Sequence, residues 1–303
     1  MPRNLLDIDD LTREEIELVL RRSAEFRERP PDRALLADVA VLNLFFETST
    51  RTATSFTLAA QRVGADVISF APGTSSLGKG ETIADTTLTL HAIGVRVIVV
   101  RHPESGFAAR LAEGFDGHVI NAGDGTHAHP TQALLDLMTL WEEFGRFEGL
   151  RVAIVGDIRH SRVARSNIVG MRMLGIDVTL VGPATLLPDE FAAAGVRIER
   201  DLDAVLPAVD AIMMLRIQRE RIASGLLPEL ADYTLGYQLG AERLSRLRRD
   251  AVILHPGPYN RGAELTDEAL DDPRSRYYQQ VRNGTFVRMA TLDFLVNSAA
   301  AFA

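Results

Sequence analysis

Apolar residues fall in short continuous runs, and the segments between them repeat apolar positions with helical spacing. Runs at 39–46, 66–70, 95–101 and 118–121 read as buried strands, with helices over 52–63, 82–93, about 106–114 and 131–144 between and after them. Ahead of these, Thr12-Arg13-Glu14-Glu15 forms a capping box for an amphipathic helix ending near Arg27. Gly145 closes the helix from Thr131. A second series then begins: strand 150–156, helix 162–174, strand 177–181, and further strands at 211–215 and 251–255. Strand and helix taking turns predict a doubly wound α/β fold, a parallel sheet with helices on both faces, built twice. A last segment, 275–302, is long and apolar enough for a terminal helix through Tyr278, Val281, Phe286, Met289, Leu292, Phe294, Leu295 and Val296. No Pro/Gly-rich linker marks the middle, so the helix after His129 is expected to join the two halves.

The composition narrows what such a chain can do. At 303 residues and 46% hydrophobic it can bury a large core, and its length suits two domains. A formal charge of −8 argues against general nucleic-acid binding, so any anion site must be a local concentration of positive charge. The absence of cysteine excludes disulfides, thiolate metal sites and thiol nucleophiles. Residues 1–10 are acidic and lack a signal peptide's basic start and apolar core, and no run reaches membrane-spanning length; the expected location is cytoplasmic.

Candidate chemistry concentrates where strands end. Ser49-Thr50-Arg51-Thr52 places three hydroxyls and a guanidinium at the start of the second helix, where unpaired N–H groups and the positive dipole end favour a phosphate. A Ser/Thr cap with one exposed arginine is the plain alternative. Downstream, the loop around Gly125 delivers His129 just before Pro130, with Thr131 and Gln132 in the same word; His129 and Gln132 can reach one spot beyond the helix end. Lys79 is the only lysine in the chain and lies in a small-residue loop, Gly73-Thr74-Ser75-Ser76-Leu77-Gly78-Lys79-Gly80. A site contacting two anionic groups at once would call for such a compact ammonium, and a lysine tolerated on a solvated loop is the plain alternative. Ser49, Arg101, His129, Arg162, Arg216 and Pro258 each follow a predicted strand, the position where open α/β sheets hold ligands. Asp157 after Gly156 is not followed by a Gly-x-Gly-x-x-Gly pattern, which argues against a dinucleotide site.

These words, together with Val99-Val100-Arg101-His102-Pro103, Gly156-Asp157 followed by Arg162, Met214-Leu215-Arg216-Ile217-Gln218 and Leu254-His255-Pro256-Gly257-Pro258, resemble catalytic chains of the aspartate/ornithine carbamoyltransferase family, and the resemblance runs from about Leu5 to the C-terminus. It implies a carbamoyl phosphate domain over 1–130, joined by the C-terminal helix at about 276–303, and an aspartate domain over 131–275, with the active site in the cleft between them. It further implies transfer of the carbamoyl group of carbamoyl phosphate to L-aspartate, in pyrimidine biosynthesis, without metal or cofactor. Ser49, Thr50, Arg51 and Thr52 would hold the phosphate with Arg101. Thr52, Arg101 and His129 would polarise the carbonyl oxygen, His129 as hydrogen-bond donor rather than base, and the departing phosphate would accept the proton. Gln132 and the carbonyls of Gly257 and Pro258 would orient the carbamoyl and amino groups. Arg162, Arg216 and Gln218 would grip the aspartate carboxylates. Ser76 and Lys79 would enter from the adjacent subunit, making a homotrimer with shared sites and possible regulatory or dihydroorotase partners. Arg159 and Arg165 are expected to be solvated neighbours. A sister enzyme acting on ornithine fits less well, because that branch carries a His-Cys-Leu-Pro word. A catalytically silent paralogue and a nucleotide-dependent enzyme are the remaining alternatives. Two departures from the family pattern stand out: Arg261 lies in a divergent segment, and the spacing from Ser76 to Lys79 is one residue short.

Overall fold

The structure, a computed structural model, describes residues 2–70, 82–217 and 230–297. The chain divides into two compact units, residues 1–135 with 281–303, and residues 136–280.

The first unit runs α1 (Arg13–Glu28), β1 (Ala40–Phe45), α2 (Thr50–Arg62), β2 (Asp66–Phe70), α3 (Ile83–Ile93), β3 (Val95–His102), α4 (Phe107–Glu113), β4 (His118–Asp124) and the start of α5 (Pro130–Phe144). Its four strands are all parallel, in the order β2-β1-β3-β4. The β-branched run from Val97 to Val100 is wholly buried, as a strand covered on both faces must be. Leu42, Leu44, Ile98, Val100 and Val119 pack against Phe107, Ala108 and Leu111 of α4.

The second unit holds β5 (Arg151–Val155), α6 (Arg162–Met173), β6 (Asp177–Val181), β7 (Arg197–Glu199), α7 (Leu202–Val205), β8 (Ala211–Met214), α8 (Leu230–Tyr237), α9 (Ala241–Arg246), β9 (Val252–Leu254), α10 (Asp267–Asp271) and the first residues of α11 (Tyr277–Asn297). Among the described residues its five strands are also all parallel, in the order β7-β6-β5-β8-β9. Val155, Ile212, Met214 and Ile253 share a core with Leu202, Leu206, Leu239, Leu244 and Leu265.

Two parallel α/β sheets are thus present, as the alternation predicts. The short elements β7 and α7 to α10 are not anticipated: β7 is Arg197-Ile198-Glu199, with no apolar run, and helices of four to eight residues are too short to carry a helical period. Helix α2 begins at Thr50, two residues earlier than its apolar pattern suggests, and β4 continues to Asp124. The division between units falls inside helices, between Leu135 and Asp136 of α5 and between Gln280 and Val281 of α11. A helix needs no linker composition to act as a connection, so neither boundary leaves a compositional trace.

Candidate active site

In the first unit the expected phosphate-binding word sits where the carboxyl end of an inner strand meets a helix start. Phe45 of β1 is in register with Arg101 of β3, and the Phe46 N–H donates to the Arg101 carbonyl at 2.9 Å. The chain then turns into α2 with Ser49 as its N-cap residue. The Ser49 side chain makes no capping hydrogen bond. The first ladder bond runs from Ala53 N–H to the Ser49 carbonyl at 3.1 Å, so the amides of Thr50, Arg51 and Thr52 lie ahead of the ladder, where an anion is favoured. Thr50 and Arg51 are exposed, and Thr52 is buried. Helix α2 is held from behind. Asn43 of β1 donates to Thr57 at 3.0 Å, while Arg288 of α11 donates to Ser55 and lies over the Phe56 ring at 4.9 Å.

Arg101 projects from the carboxyl end of β3. Its Nε donates to Glu47 at 3.2 Å and its Nη1 to the Ala122 carbonyl at 3.3 Å, which orders the guanidinium between β1 and β4. The next residue, His102, stacks on Phe107 at 3.7 Å, and burial holds it below the usual histidine range. It serves packing.

The loop delivering His129 is organised by Asp124, which is itself buried. One Asp124 oxygen accepts from Asn121 at 2.7 Å and Ala128 N–H at 3.1 Å, and the other from Gly106 N–H at 2.6 Å. Gly125 takes φ +45°, and a Cβ there would lie 2.3 Å from the Ser105 hydroxyl and 2.7 Å from its amide nitrogen, so only glycine fits. His129 emerges buried, its carbonyl accepting from the Gln132 and Ala133 amides as α5 begins. The sequence motifs assign no role to Glu47, Asp124 or Arg288. An Asp preceding a glycine turn is the signal that could have found Asp124.

In the second unit, Arg162, Arg216 and the pair Gly257-Pro258 follow β5, β8 and β9, which are neighbours in the sheet. Arg162 is the first residue of α6, buried behind the N-cap Ser161, whose hydroxyl accepts from Ala164 N–H at 3.1 Å. Gly156 allows this edge to close: it takes φ +125°, and a Cβ would lie 2.9 Å from the Tyr233 hydroxyl and 3.2 Å from the Leu215 carbonyl, just before Arg216. The Gly257-Pro258 bond is cis, and Gly257 N–H donates to Nδ1 of the buried His255 at 2.8 Å. His255 Nε2, which must then carry the proton, faces Glu264 at 3.4 Å. Arg159 is exposed as expected, but Arg165 is not a solvated neighbour. It lies over the Phe191 ring at 5.0 Å, donates to the Arg159 carbonyl, and is held below the usual arginine range by burial. Arg261 is exposed and pairs with Asp267. Ser76, Lys79 and Gln218 lie outside the described residues. Among the described residues no helix is long and apolar enough to cross a membrane.

Each unit therefore presents cationic and hydroxyl side chains at the carboxyl ends of parallel strands, which defines a two-unit α/β protein suited to small anionic ligands. Comparison with known proteins makes this specific. Residues 3–142 match the family model "Aspartate/ornithine carbamoyltransferase, carbamoyl-P binding domain", and residues 148–295 match "Aspartate/ornithine carbamoyltransferase, Asp/Orn binding domain". The chain is 50% identical to the aspartate carbamoyltransferase catalytic subunit of Thermobifida fusca, covering 98% of this chain and 96% of that one. It is 51% identical to that of Xanthomonas campestris, covering 97% and 96%. Among solved structures it resembles Trypanosoma cruzi aspartate transcarbamoylase in complex with N-(phosphonacetyl)-L-aspartic acid, with TM-score 0.87, 32% identity, and 96% and 95% of the two chains covered. It also resembles Thermus thermophilus ornithine carbamoyltransferase, with TM-score 0.86, 28% identity, and 98% and 99% covered. The chain belongs to the aspartate/ornithine carbamoyltransferase family.

Proposed function

We propose that this chain is an aspartate carbamoyltransferase. The amino nitrogen of L-aspartate attacks the carbonyl carbon of carbamoyl phosphate, the C–N bond forms, the C–O bond to phosphate breaks, and the phosphate leaves with the proton. The observation that carries the reading is the non-capping Ser49 hydroxyl at the start of α2, in a helix end that opens beside Arg101. An N-cap serine that does not cap its helix is kept for another acceptor or donor, and a phosphate meets that need. Carbamoyl phosphate is already activated, so the protein's contribution is alignment and stabilisation of the oxygen that gains charge. Ser49, Thr50, Arg51 and Thr52 bind the phosphate, and Arg101 reaches both phosphate and carbonyl oxygen. His129 donates to that oxygen, while Gln132 and the Gly257 and Pro258 carbonyls orient the reacting nitrogens. Arg162, Arg216 and Gln218 take the aspartate carboxylates. The first unit supplies the phosphate-binding residues, and the second supplies the aspartate-binding residues together with the Gly257 and Pro258 carbonyls.

The preference for aspartate over ornithine rests on two features: about half of all positions match relatives named for aspartate, and His255-Pro256-Gly257-Pro258 replaces the cysteine-containing word of the ornithine branch. Turnover of carbamoyl phosphate with L-aspartate and with L-ornithine tests it; faster carbamoylation of ornithine would overturn the reading. A cytoplasmic homotrimer in which Ser76 and Lys79 complete the neighbour's site is part of the same proposal. Mixing dissociated Arg51→Ala and Lys79→Ala proteins, each nearly inactive, is expected to restore part of the activity. Confirmed reassembly without recovery would count against shared sites.

A further inference from the structure

We infer that Asp136 and Gln280 are positioning residues for the Gly257-Pro258 turn, acting through a buried hydrogen-bond relay that admits only one arrangement of donors and acceptors. This rests on the proposed function, in which that turn orients the reacting nitrogens.

The relay lies wholly in the second unit. Gln280 at the start of α11 accepts the His255 backbone N–H on Oε1 at 2.9 Å and donates from Nε2 to Asp136 Oδ1 at 2.7 Å. The other Asp136 oxygen accepts from Asn167 Nδ2 of α6 at 2.8 Å, and the same Nδ2 donates to the Val163 carbonyl at 3.0 Å. Asp136, Asn167, Gln280 and His255 are all buried, so water cannot take the place of a mismatched partner.

Backbone groups at the two ends fix every role. A backbone N–H can only donate, so Gln280 must turn its oxygen to His255 and its nitrogen to residue 136. A carbonyl can only accept, so Asn167 must turn its nitrogen to Val163, and from there to residue 136 as well. Residue 136 must therefore accept on both arms. A carboxylate does so; an asparagine does not. Beyond His255 the relay continues through the imidazole, whose Nδ1 accepts the Gly257 N–H. Asp136 lies seven residues after His129 on α5, so the helix that opens with His129 also anchors the turn.

The parity of donors gives a test by exchange. Asp136→Asn sets one N–H group against another, and Gln280→Glu sets carboxylate against carboxylate. Combining the two exchanges restores each bond linking residues 167, 136, 280 and 255. The amide introduced at position 136 accepts from Asn167 and donates to the carboxylate introduced at position 280, and that carboxylate accepts the His255 N–H. Initial rates with carbamoyl phosphate and L-aspartate, and calorimetric binding of inorganic phosphate, are measured on folded proteins well below their unfolding temperatures. Each single variant should lose about 10- to 100-fold in kcat, the scale of a reacting group misplaced by about 1 Å. Phosphate affinity should stay within about twofold, because the groups proposed to bind it belong to the first unit, and the double variant should recover most of kcat. A purely structural role would lower the unfolding temperature without moving kcat. Gln280→Met, which withdraws the acceptor without adding charge, covers the case in which a single exchange variant does not fold. Unchanged kcat in Gln280→Met, or a folded double variant as slow as the singles, would overturn the inference. A wild-type chain that does not carbamoylate aspartate would instead remove the reading beneath it.

Discussion

The α2 amino terminus and the turn after β9 are both proposed to touch carbamoyl phosphate, yet they are built in opposite ways. At α2 the ligand-facing groups are contiguous, Ser49 to Thr52, and the helix end itself supplies the field. After β9 the turn at Gly257-Pro258 has little of its own to hold it. The His255 N–H donates to Gln280, 25 residues away, and Gln280 in turn donates to Asp136, 144 residues away. The contrast teaches that a charge-binding end can be written locally, since amides ahead of a helical ladder exist in any helix. The placing of a backbone carbonyl needs support from distant parts of the chain.

The largest effects are expected where contiguous groups meet the charge that develops in the reaction. Arg101→Ala should lower kcat/KM for carbamoyl phosphate by about 10³-fold, because one guanidinium is assigned to both phosphate and carbonyl oxygen. His129→Ala should lower kcat by about 10²–10³-fold, the usual scale for one oxyanion donor. Steady-state kinetics check both. A loss below tenfold at His129 would remove it from that role and leave the carbonyl oxygen to Arg101 and Thr52, with the turn after β9 orienting only the nitrogens.

What is legible in the sequence follows the same division. Ser49, Thr50, Arg51, Thr52 and Arg101 stand in words that can be read without knowing what packs behind them, and the alternation of strands and helices places them at strand ends. The supports cannot be read that way. Asp136 looks like an interior polar residue of an apolar helix, and nothing near it announces Asn167 or Gln280. Arg165 reads as solvated because charge suggests exposure, whereas its stem and guanidinium cover Phe191. Asp124 stands directly before the loop glycine, and its bonds from Asn121 and Ala128 are local, but the one from Gly106, 18 residues earlier, appears only once the chain has folded.

Two N-cap serines sharpen the comparison at smaller scale. Ser161 caps α6 in the ordinary way, by accepting from Ala164 N–H, whereas Ser49 makes no capping bond on α2. Ser161→Ala should therefore cost about 1 kcal/mol of stability, the usual worth of a cap, while Ser49→Ala should cost only a few tenths. Phosphate binding should respond the other way, weakening about tenfold in Ser49→Ala, as loss of a hydrogen bond to a charged group predicts. Denaturant unfolding and calorimetry together decide it. If Ser49→Ala is as destabilising as Ser161→Ala, the hydroxyl is a cap after all and the phosphate-binding argument at α2 loses its footing.

The smallest effect concerns how far the support of the turn extends. The segment leading into α11 runs beside β9: Ile253 N–H donates to the Arg274 carbonyl and Arg276 N–H to the Ile253 carbonyl. Arg274 is pinned by Asp272 through two side-chain bonds of 2.8 and 2.9 Å and one from its backbone amide. The bonds and charge of Arg274 outweigh burial and hold the Asp272 carboxyl below the usual carboxylate range. A depressed folded pKa means that the pair stabilises the protein above the unfolded value, near pH 4, and that this contribution fades as pH falls through the folded value. Asp272→Asn should thus unfold slightly earlier than wild type at pH 7, by about 1 kcal/mol, the scale of one hydrogen-bonded pair at a half-buried site. As pH falls below the unfolded value the difference should shrink. Thermal unfolding from pH 7 down to pH 3 checks the sign. If kcat in Asp272→Asn also falls at pH 7, the positional support of Gly257-Pro258 reaches past Gln280 to the strand-side segment. If stability alone moves, it ends at the relay through Asp136.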